Sequence, residues 1–345
     1  MVKTAVVILN WNGLNFLKMF LGNVVSKSAD ADTLIYVADN GSEDGSCEWL
    51  EQNQRDVRLI RLNKNHGFAG GYNLALSQID ATYYVLLNSD IEVTDGWLKP
   101  LIQYLDSHPD VASCQPKILS RNNRDSFEYA GAAGGFIDRF GYPFCRGRIL
   151  SVVEKDTGQY DSLTDVFWSS GACMAVRSEA WSRCGGFDAD FFAHMEEIDL
   201  CWRFHRLGYR VTFIPQSTVY HVGGGALPYN SPYKTYLNFR NSIYLLYKNL
   251  PDRNFSSLIF FRKILDGVAA LFFLFRGDAK SFSAVVKAHI DAARSKKRLR
   301  EKRGIIKASG NSENVGLILN KSIVFEFYIK RHRTYNSMNP KFRSL

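Results

Sequence analysis

The chain has 345 residues, of which 46% are hydrophobic and 22% charged, and its formal net charge is +9. This length and apolar fraction suffice for a buried core in one large domain with an appendage, or in two domains, and they exclude disorder as the default state. The first ten residues hold too short an apolar stretch for a secretory signal peptide, so we expect a cytoplasmic protein whose six cysteines are reduced.

Short apolar runs alternate with longer stretches in the first part of the chain. Residues 14–26 place their apolar side chains at helical spacing, and residues 70–79 begin just after a glycine-rich turn. This alternation predicts an α/β fold with a mostly parallel sheet and crossover helices. The runs expected to form strands lie at residues 4–9, 34–37, 57–62 and 83–87.

Two acidic clusters carry the strongest chemical signal. The last of these strands runs directly into Asn88-Ser89-Asp90, and a second cluster occupies residues 191–199. A buried strand that ends in oxygen-bearing side chains delivers ligands to the carboxyl edge of a sheet, where α/β folds place their sites. If the second cluster returns to that edge, one carboxylate can hold a cation while another takes a proton from a hydroxyl. The sequence therefore predicts a metal-assisted group-transfer enzyme in which Asp90 and Glu197 face one cleft.

The regular pattern is interrupted in the middle of the chain. Residues 120–165 are rich in glycine, aromatic residues and charge, which favours loops and short strands beside the site. A helix is expected over residues 196–207, with Gly208 at its end, and a strand over residues 210–214, with Pro215 at its end.

The character of the sequence changes again near residue 250. We expect residues 1–250 to form the catalytic domain and residues 251–345 a helical, amphipathic and basic extension. Its longest stretch without charge, Gly267–Phe275, is far shorter than the ~20 residues needed to cross a bilayer. Seven basic residues and one acidic residue lie within residues 294–303, which suits a segment lying on an anionic membrane surface. An ordinary helical cap with a solvated basic face is the alternative, and the lack of aromatic residues in the basic run argues against nucleic acid.

Six blocks of distinctive sequence resemble family 2 glycosyltransferases, and their closest resemblance is to the bacterial rhamnosyltransferase-type branch. The resemblance implies a GT-A fold, a nucleotide-diphospho-sugar donor that could be dTDP-rhamnose, Mg²⁺ or Mn²⁺, and inversion at the anomeric carbon. It also implies action on a cell-surface polysaccharide or a lipid-linked glycan at the cytoplasmic side of the membrane. In chain order the blocks are residues 7–13, 37–46, 65–73, 86–90, 170–174 and 191–203.

The expected donor site combines strand ends with a glycine-rich segment. Asp39 and Asn40 follow a strand and precede a Gly/Ser turn, so their side chains can meet a base or ribose, although a turn that merely caps a helix is the alternative. The small residues of the block at 65–73 let backbone approach a ligand closely. The donor-binding residues expected from motif and resemblance are Asn10, Asp39, Asn40, Gly67, Gly70, Asn73, Asn88 and Arg240.

The resemblance also assigns the metal site. Asn88-Ser89-Asp90 stands where the family has an Asp-x-Asp motif, but an amide replaces the first acid. Asp90 is therefore the expected direct metal ligand. His221 matches a position that supplies a further metal or phosphate contact, and an imidazole ligand would favour Mn²⁺.

In the family, an acidic pair supplies the base that accepts the acceptor's proton. The pair corresponds to Glu196-Glu197, and its second member, Glu197, is the expected base. Adjacent carboxylates repel, so one pKa should be raised, and Glu196 or Asp199 could share the role. A helix-start cluster that serves only the helix dipole and salt bridges is the alternative.

The acceptor site is expected beside this pair. Gly171 and Ala172 should form its wall, and Trp168 could stack on a sugar ring. A nucleotidyltransferase would instead need a basic, glycine-rich loop near the N-terminus, and residues 10–13 contain no Lys or Arg. A catalytically silent carbohydrate-binding scaffold would lack the metal acid or the base, and both are present.

Overall fold

A computed structural model describes residues 2–28, 30–223, 231–308 and 315–343. Its strands are β1 (Val2–Asn10), β2 (Thr33–Asp39), β3 (Val57–Arg61), β4 (Ala81–Asn88), β5 (Ile91–Val93), β6 (Val111–Ser120), β7 (Gly135–Asp138), β8 (Pro143–Cys145), β9 (Arg148–Ile149), β10 (Val152–Val153), β11 (Thr164–Asp165), β12 (Cys173–Arg177), β13 (Arg210–His221), β14 (Ile318–Leu319) and β15 (Phe342–Arg343).

The α-helices include those predicted after the first and third strands and after the second acidic cluster. They are α1 (Leu14–Ser28), α2 (Ser46–Asn53), α3 (Gly67–Leu76), α4 (Leu98–Ser107), α5 (Ser178–Cys184), α6 (Glu196–Arg206), α7 (Pro232–Asn249), α8 (Asp252–Phe275), α9 (Ala279–Arg294), α10 (Lys296–Ala308) and α11 (Ile323–Tyr328).

The main sheet has the strand order β11-β13-β6-β12-β4-β1-β2-β3. Strands β3, β2, β1 and β4 are parallel, and β12 is antiparallel to both of its neighbours. Strands β1, β2 and β4 are buried between two hydrophobic clusters and read as nearly continuous apolar runs, whereas β3, at the edge of the sheet, is only partly buried. The predicted α/β class with a mostly parallel sheet is confirmed.

The register of the parallel strands brings their polar ends together. Asn10 pairs with Asp39 across β1 and β2, and Leu9 pairs with Asn88 across β1 and β4. Because parallel strands point the same way, the side chains that follow them collect at one carboxyl edge. This edge is where the predicted donor and metal residues lie.

Strand β13 is longer than predicted, and the difference matters for the site. The sequence suggested that Pro215 would end this strand, but the strand continues to His221 through a register shift between Ile214 and Thr218. Proline cannot donate to the ladder, and such an irregularity accommodates it. The second half of β13 then pairs with β5, which places His221 opposite Ile91.

A second sheet, with the order β10-β9-β8-β7-β14-β15, joins the middle of the chain to its C-terminal part. The excursion at 120–165 thus contains the short strands expected there. Strand β14 pairs in parallel with β7, so residues 251–345 are neither wholly helical nor structurally independent of the first 250. Two pieces of this segment, residues 309–314 and 344–345, lie outside the described residues. None of the helices in the described ranges combines the length and apolarity needed to cross a membrane.

Candidate active site

A cavity of about 1280 Å³ opens at the carboxyl edge of the main sheet. Asp90, from the end of β4, and Glu197, from the first turn of α6, both line it. The two acidic clusters, which are a hundred residues apart in sequence, therefore share one cavity. Other predicted site residues in its wall are Asn40, Gly67, Asn88, Trp168, Gly171, Ala172, Glu196 and His221.

The metal edge of the cavity is a chain of polar contacts centred on His221. Its Nε2 lies 3.1 Å from Asp90 Oδ1 and 3.4 Å from the side-chain nitrogen of Asn88. Its Nδ1 lies 3.4 Å from Glu128 Oε2. Glu128 was not identified from the sequence, because it lies in an irregular segment with no motif; its burial beside His221 is visible only in three dimensions.

Charge couples these three buried groups. Burial lowers the pKa of His221, but the carboxylates of Glu128 and Asp90 outweigh burial and raise that pKa to about 10. Burial raises the pKa of Asp90, while the charge of His221 and its hydrogen bond lower it, and the net direction is downward. Asp90 is therefore held as a carboxylate.

The residues at this edge suit a divalent cation that is held partly by the protein and partly by a bound diphosphate. No group of three or more His, Cys, Asp or Glu with metal-site geometry occurs in the described part of the chain. Asp90 and His221 nevertheless both line the cavity; the carboxylate of Asp90 would bind a cation directly, whereas His221, whose pKa is raised and whose Nε2 faces Asp90, would bind it only after losing its proton. Mg²⁺ is commonly held by one or two carboxylates together with substrate phosphates, so a small protein ligand set suits a cation that bridges to a diphosphate.

The acidic pair of α6 lies at the cavity wall with oxygens that no protein group satisfies. Within the described residues, Glu196 Oε2 and Glu197 Oε2 are buried and have no hydrogen-bond partner. Burial raises the pKa of Glu197 to about 7. Burial and the charge of Glu197 raise the pKa of Glu196 well above its ordinary value. A carboxylate with a raised pKa and an unpaired oxygen is suited to accept a proton from a ligand.

Asp199 does not join this pair, although the sequence suggested that it could share the role. It is fully buried away from the cavity, and its Oδ2 lies 2.8 Å from Lys248 Nζ and 3.0 Å from the guanidinium of Arg203. Asn249 donates a further hydrogen bond of 2.8 Å to Oδ1. Two cations hold this carboxylate charged, so its placement indicates a structural anchor for α6.

Arg240 also differs from expectation. Its guanidinium donates to the backbone carbonyls of Asp190 and Phe191, at 3.1 and 2.9 Å, and it does not line the cavity. The neighbouring Asn241 donates to three carbonyls of the same loop. This pair therefore positions the loop before α6.

The loop that these side chains hold is strained. Phe192, His194 and Met195 all have positive φ angles, of 65°, 70° and 75°. Residues with a Cβ rarely adopt this conformation, and such strain persists only where the surroundings enforce it. The carbonyl contacts of Asn241 provide that enforcement, and they fix the direction in which α6 presents Glu197.

The donor side contains a hydrogen-bonded framework beneath the cavity surface. Asn10 donates to Asp39 Oδ2 at 2.9 Å, and Asp39 Oδ1 accepts from the amide of Ser42 at 2.9 Å. Asn40 accepts from the amide of His66 at 3.0 Å and donates to the carbonyl of Gly67 at 3.0 Å. Asn40 and Gly67 line the cavity, whereas Asn10 and Asp39 lie behind it.

The glycine-rich block makes a close approach to the loop of the acidic pair. Gly67 has a φ of 71°, and a Cβ there would lie 2.5 Å from the ring of Phe192. A Cβ added at Gly70 would lie 3.2 Å from His66 Cβ, and Gly70 does not line the cavity. Asn73, expected to bind donor, instead bonds both the amide and the carbonyl of Phe187, at 2.9 and 2.8 Å. It therefore ties α3 to the segment before α6.

The expected acceptor wall is present, but Trp168 cannot stack on a sugar in this structure. It is buried, donates through Nε1 to the carbonyl of Phe136 at 3.0 Å, and packs its ring on Gly135, where a Cβ would clash at 2.0 Å. Gly171 lies beside Glu197, because a Cβ there would be 3.9 Å from Glu197 Cβ. Ala172 adjoins it in the cavity wall.

The α/β sheet is of the nucleotide-binding type. A buried carboxylate at its edge and an acidic pair line the same cavity. Together these features are those of a GT-A glycosyltransferase. The chain belongs to Glycosyl transferase family 2, whose sequence model matches residues 5–180. It lies in the rhamnosyltransferase-like branch of that family and is a hexosyltransferase. The resemblance seen in the sequence motifs is thereby confirmed, and the family match favours a glycosyltransferase over the nucleotidyltransferase alternative.

Curated relatives match about half of the chain or slightly more, at low sequence identity. N-acetylglucosaminyl-diphospho-decaprenol L-rhamnosyltransferase of Mycobacterium tuberculosis (strain CDC 1551 / Oshkosh) is 26% identical over 223 residues, which cover 59% of this chain and 71% of that protein. Rhamnosyltransferase WbbL of Escherichia coli (strain K12) is 27% identical over 164 residues, which cover 45% of this chain and 61% of that protein.

Solved structures share the fold at low sequence identity. GalNAc-T7 with UDP, GalNAc and Mn²⁺ superposes with a TM-score of 0.57 at 15% identity, covering 91% of this chain and 59% of that one. The mannosyltransferase PcManGT from Pyrobaculum calidifontis in complex with GDP-Man and Mn²⁺ superposes with a TM-score of 0.51 at 15% identity, covering 89% and 86%. Both similarities show the GT-A fold.

Proposed function

We propose that this glycosyltransferase is an inverting, cation-dependent enzyme that extends a cell-surface polysaccharide or a lipid-linked glycan at the inner face of the membrane. The proposed donor is dTDP-rhamnose, since the curated relatives include rhamnosyltransferases. The proposed cation is Mg²⁺ or Mn²⁺, and both solved neighbours above hold Mn²⁺. One observation carries the proposal: Asp90 and Glu197 line the same cavity, and a buried oxygen of Glu197 has no hydrogen-bond partner among the described residues.

The donor side of the cavity would hold the nucleotide and its diphosphate. Asp90 and His221 are the residues that would bind the cation, which would neutralise the negative charge that develops on the departing diphosphate. Asn88, 3.4 Å from His221, adds a polar group beside them. Asn40 and Gly67 offer an amide and a closely approachable backbone for the nucleotide. The residues behind them, Asn10 and Asp39, keep this surface rigid.

Glu197 would act as the general base. It accepts the proton of the acceptor hydroxyl while the acceptor oxygen forms its bond to the anomeric carbon. The bond from that carbon to the diphosphate breaks, and its electron pair leaves with the diphosphate. A single displacement of this kind inverts the anomeric configuration, because attack and departure occur on opposite faces of the carbon. Gly171 lies beside Glu197 in the wall of the same cavity.

A donor screen tests this function directly. Purified protein incubated with UDP-, GDP- and dTDP-sugars should hydrolyse or transfer from dTDP-rhamnose when Mg²⁺ or Mn²⁺ is present. Chelation of the cation should abolish the release of nucleotide. Release from a UDP- or GDP-sugar instead would replace the proposed donor, and equal rates in the presence of chelator would contradict the cation dependence.

The pH dependence of transfer should report the base. Glu197 must be ionised to accept a proton, and burial raises its pKa to about 7. We therefore expect kcat to fall about tenfold for each pH unit below 7 and to level off above it, measured with a soluble acceptor at saturating donor. The neighbouring Glu196 makes the observed midpoint a property of the pair. A flat profile between pH 5 and 8 would contradict Glu197 as the base.

Thermal stability over the same pH range separates ionisation from unfolding. A carboxyl whose pKa is raised from 4.5 in the unfolded chain to about 7 in the fold destabilises the fold as pH rises through that interval. The protein should therefore become less stable, not more, as its activity rises. A loss of activity at low pH would then not be due to unfolding through this group.

A further inference from the structure

Helix α8 buries one pair of charged residues and exposes several of its aromatic ones. Arg262 and Asp266, 2% and 0% exposed, pair at 2.8 Å on its inner side, where the Tyr142 hydroxyl also donates to Asp266. The opposite side carries apolar side chains at intervals of three and four residues, and Phe275 among them is 86% exposed. A helix that faces water has the reverse arrangement. The exposed stripe consists of Phe261, Ile264, Val268, Leu271, Phe272 and Phe275.

Helix α11 adds to this exposed surface beside the mouth of the cavity. Its Phe325 and Tyr328, with the following Ile329, are exposed as well, and we call them, together with the stripe of α8, the α8–α11 apolar face. Val268 and Phe272 from α8 line the catalytic cavity, and so do all three residues of the α11 group. The apolar face is therefore continuous with the cavity that contains Glu197.

Basic side chains border this face. Arg276 lies over the ring of Phe272 at 5.1 Å, and Lys330 lies over the ring of Phe325 at 5.8 Å. Exposed apolar patches of this extent mark interaction sites, and aromatic groups bordered by cations suit the boundary between acyl chains and anionic headgroups. Other exposed cations next to the two helices are Lys263, Arg331 and Arg333.

The basic segment 294–303, expected from sequence to contact the membrane, is partly used inside the protein. Arg298 pairs with Asp190 at 2.9 Å, and Arg303 pairs with Asp252 at 2.7 Å. Lys302 pairs with Asp188 and Asp190. These contacts brace α10 against the loop before α6, so a large part of the positive charge of this segment is neutralised by the protein itself.

We propose that the α8–α11 apolar face inserts into the surface of an anionic lipid bilayer, so that the catalytic cavity opens at the lipid. The inference rests on the proposed function in one respect: a lipid-linked acceptor would then reach Glu197 without leaving the membrane. The hydrocarbon part of such an acceptor would lie along Val268, Phe272 and Tyr328, and its polar end would enter the cavity.

Vesicle binding by a double variant tests the face. Phe261 and Phe275 are exposed and do not line the cavity. The variant F261E/F275E should bind vesicles of mixed phosphatidylcholine and phosphatidylglycerol about a hundredfold more weakly than wild type, because each lost phenylalanine removes apolar area worth roughly a factor of ten. Its hydrolysis of donor in solution should match wild type, which also shows that it folds.

Matched variants identify the surface that is responsible for vesicle binding. Met19→Glu and Ile305→Glu place the same charge at exposed apolar residues, 64% and 71% exposed, outside the face, and should bind vesicles like wild type. The triple variant K296E/K297E/R300E tests the basic segment. Loss of vesicle binding in that variant, with binding retained in F261E/F275E, would overturn the proposal. So would a wild-type dimer that F261E/F275E converts to monomer without any vesicle binding in either protein.

The result is separable from the proposed function. Wild-type protein that transfers sugar to a soluble acceptor but ignores anionic vesicles would overturn the membrane face and leave the enzyme assignment intact. Protein that binds vesicles through the face but turns over no nucleotide-sugar would support the face and contradict the proposed function. With a lipid-linked acceptor in vesicles, F261E/F275E should lose transfer while its activity on a soluble acceptor persists.

Discussion

Replacing Glu197 by glutamine should abolish sugar transfer and leave donor binding nearly unchanged. Glutamine keeps the size of the side chain and its place in the first turn of α6, but it cannot accept a proton. A positioned general base typically contributes a factor of about 10²–10⁴, so kcat should fall by that amount while the Kd for donor, measured by calorimetry with the cation present, stays within about twofold.

Glu196→Gln is the matched control, because it changes the neighbouring carboxyl in the same way. Glu196 is more deeply buried, and burial together with the charge of Glu197 raises its pKa well above the ordinary value. Its replacement should therefore reduce kcat far less than that of Glu197. It should also leave the pH midpoint of activity close to that of wild type, because burial, and not the charge of Glu196, raises the pKa of Glu197. A larger loss of kcat in Glu196→Gln would transfer the base to Glu196.

The stability of the two variants provides a check on their folding. Burial disfavours the charged form of Glu197, so the neutral glutamine should leave the protein at least as stable as wild type at pH 8. A melting temperature well below wild type would mean that the carboxylate makes a structural contact that glutamine cannot make. In that case the loss of activity would not identify a base.

The sequence predicted those features of the fold that repeat locally. Alternating apolar runs located β1, β2, β3 and β4, and helical spacing located α1 and α6, because burial on both faces and amphipathic packing leave a regular pattern. Pro215 was misleading, since a register shift lets β13 pass through it. The strands β14 and β15 were missed because each has two residues, too few for any periodicity.

Site residues could be predicted from the sequence where they occur in a short motif. Asp90 and Glu197 follow directly from acidic clusters in the expected order, and the structure brings both to one cavity. Glu128 has no motif, and only its distance from His221 reveals it. Such partners depend on long-range packing, which a single sequence does not display.

Some residues in the motifs stabilise the fold and do not line the cavity. The sequence alone could not distinguish this structural role from ligand binding. Asn73 and Asp199 lie in blocks that resemble the family, and Arg240 was expected to bind the donor, yet their side chains bond to protein groups behind the cavity. A motif records which residues a site needs without recording which of them touch the ligand. In this fold, part of each block holds a strained loop or a helix start in place, and another part faces the cavity.

Replacing Asp90 by alanine should remove the cation dependence of the enzyme together with most of its activity. The substitution takes away the carboxylate closest to the proposed cation and leaves His221 paired with Glu128. Because a bound cation supplies several kcal/mol of charge stabilisation to a departing diphosphate, kcat/KM should fall on the order of 10²–10³-fold. Titration of the donor with and without Mn²⁺ should show that the cation no longer tightens binding.

Asp106→Ala is the matched control for this variant. Asp106 pairs with Lys3 at 2.7 Å, near the start of β1 and so at the opposite end of the sheet from the cavity. Losing it should leave both the cation response and kcat/KM within about twofold of wild type, since an exposed ion pair contributes little. If Asp90→Ala kept the full response to Mn²⁺ while its melting temperature matched that of Asp106→Ala, the cation would bind elsewhere. The pairing of Asp90 with His221 would then be an internal ion pair that orders the end of β13.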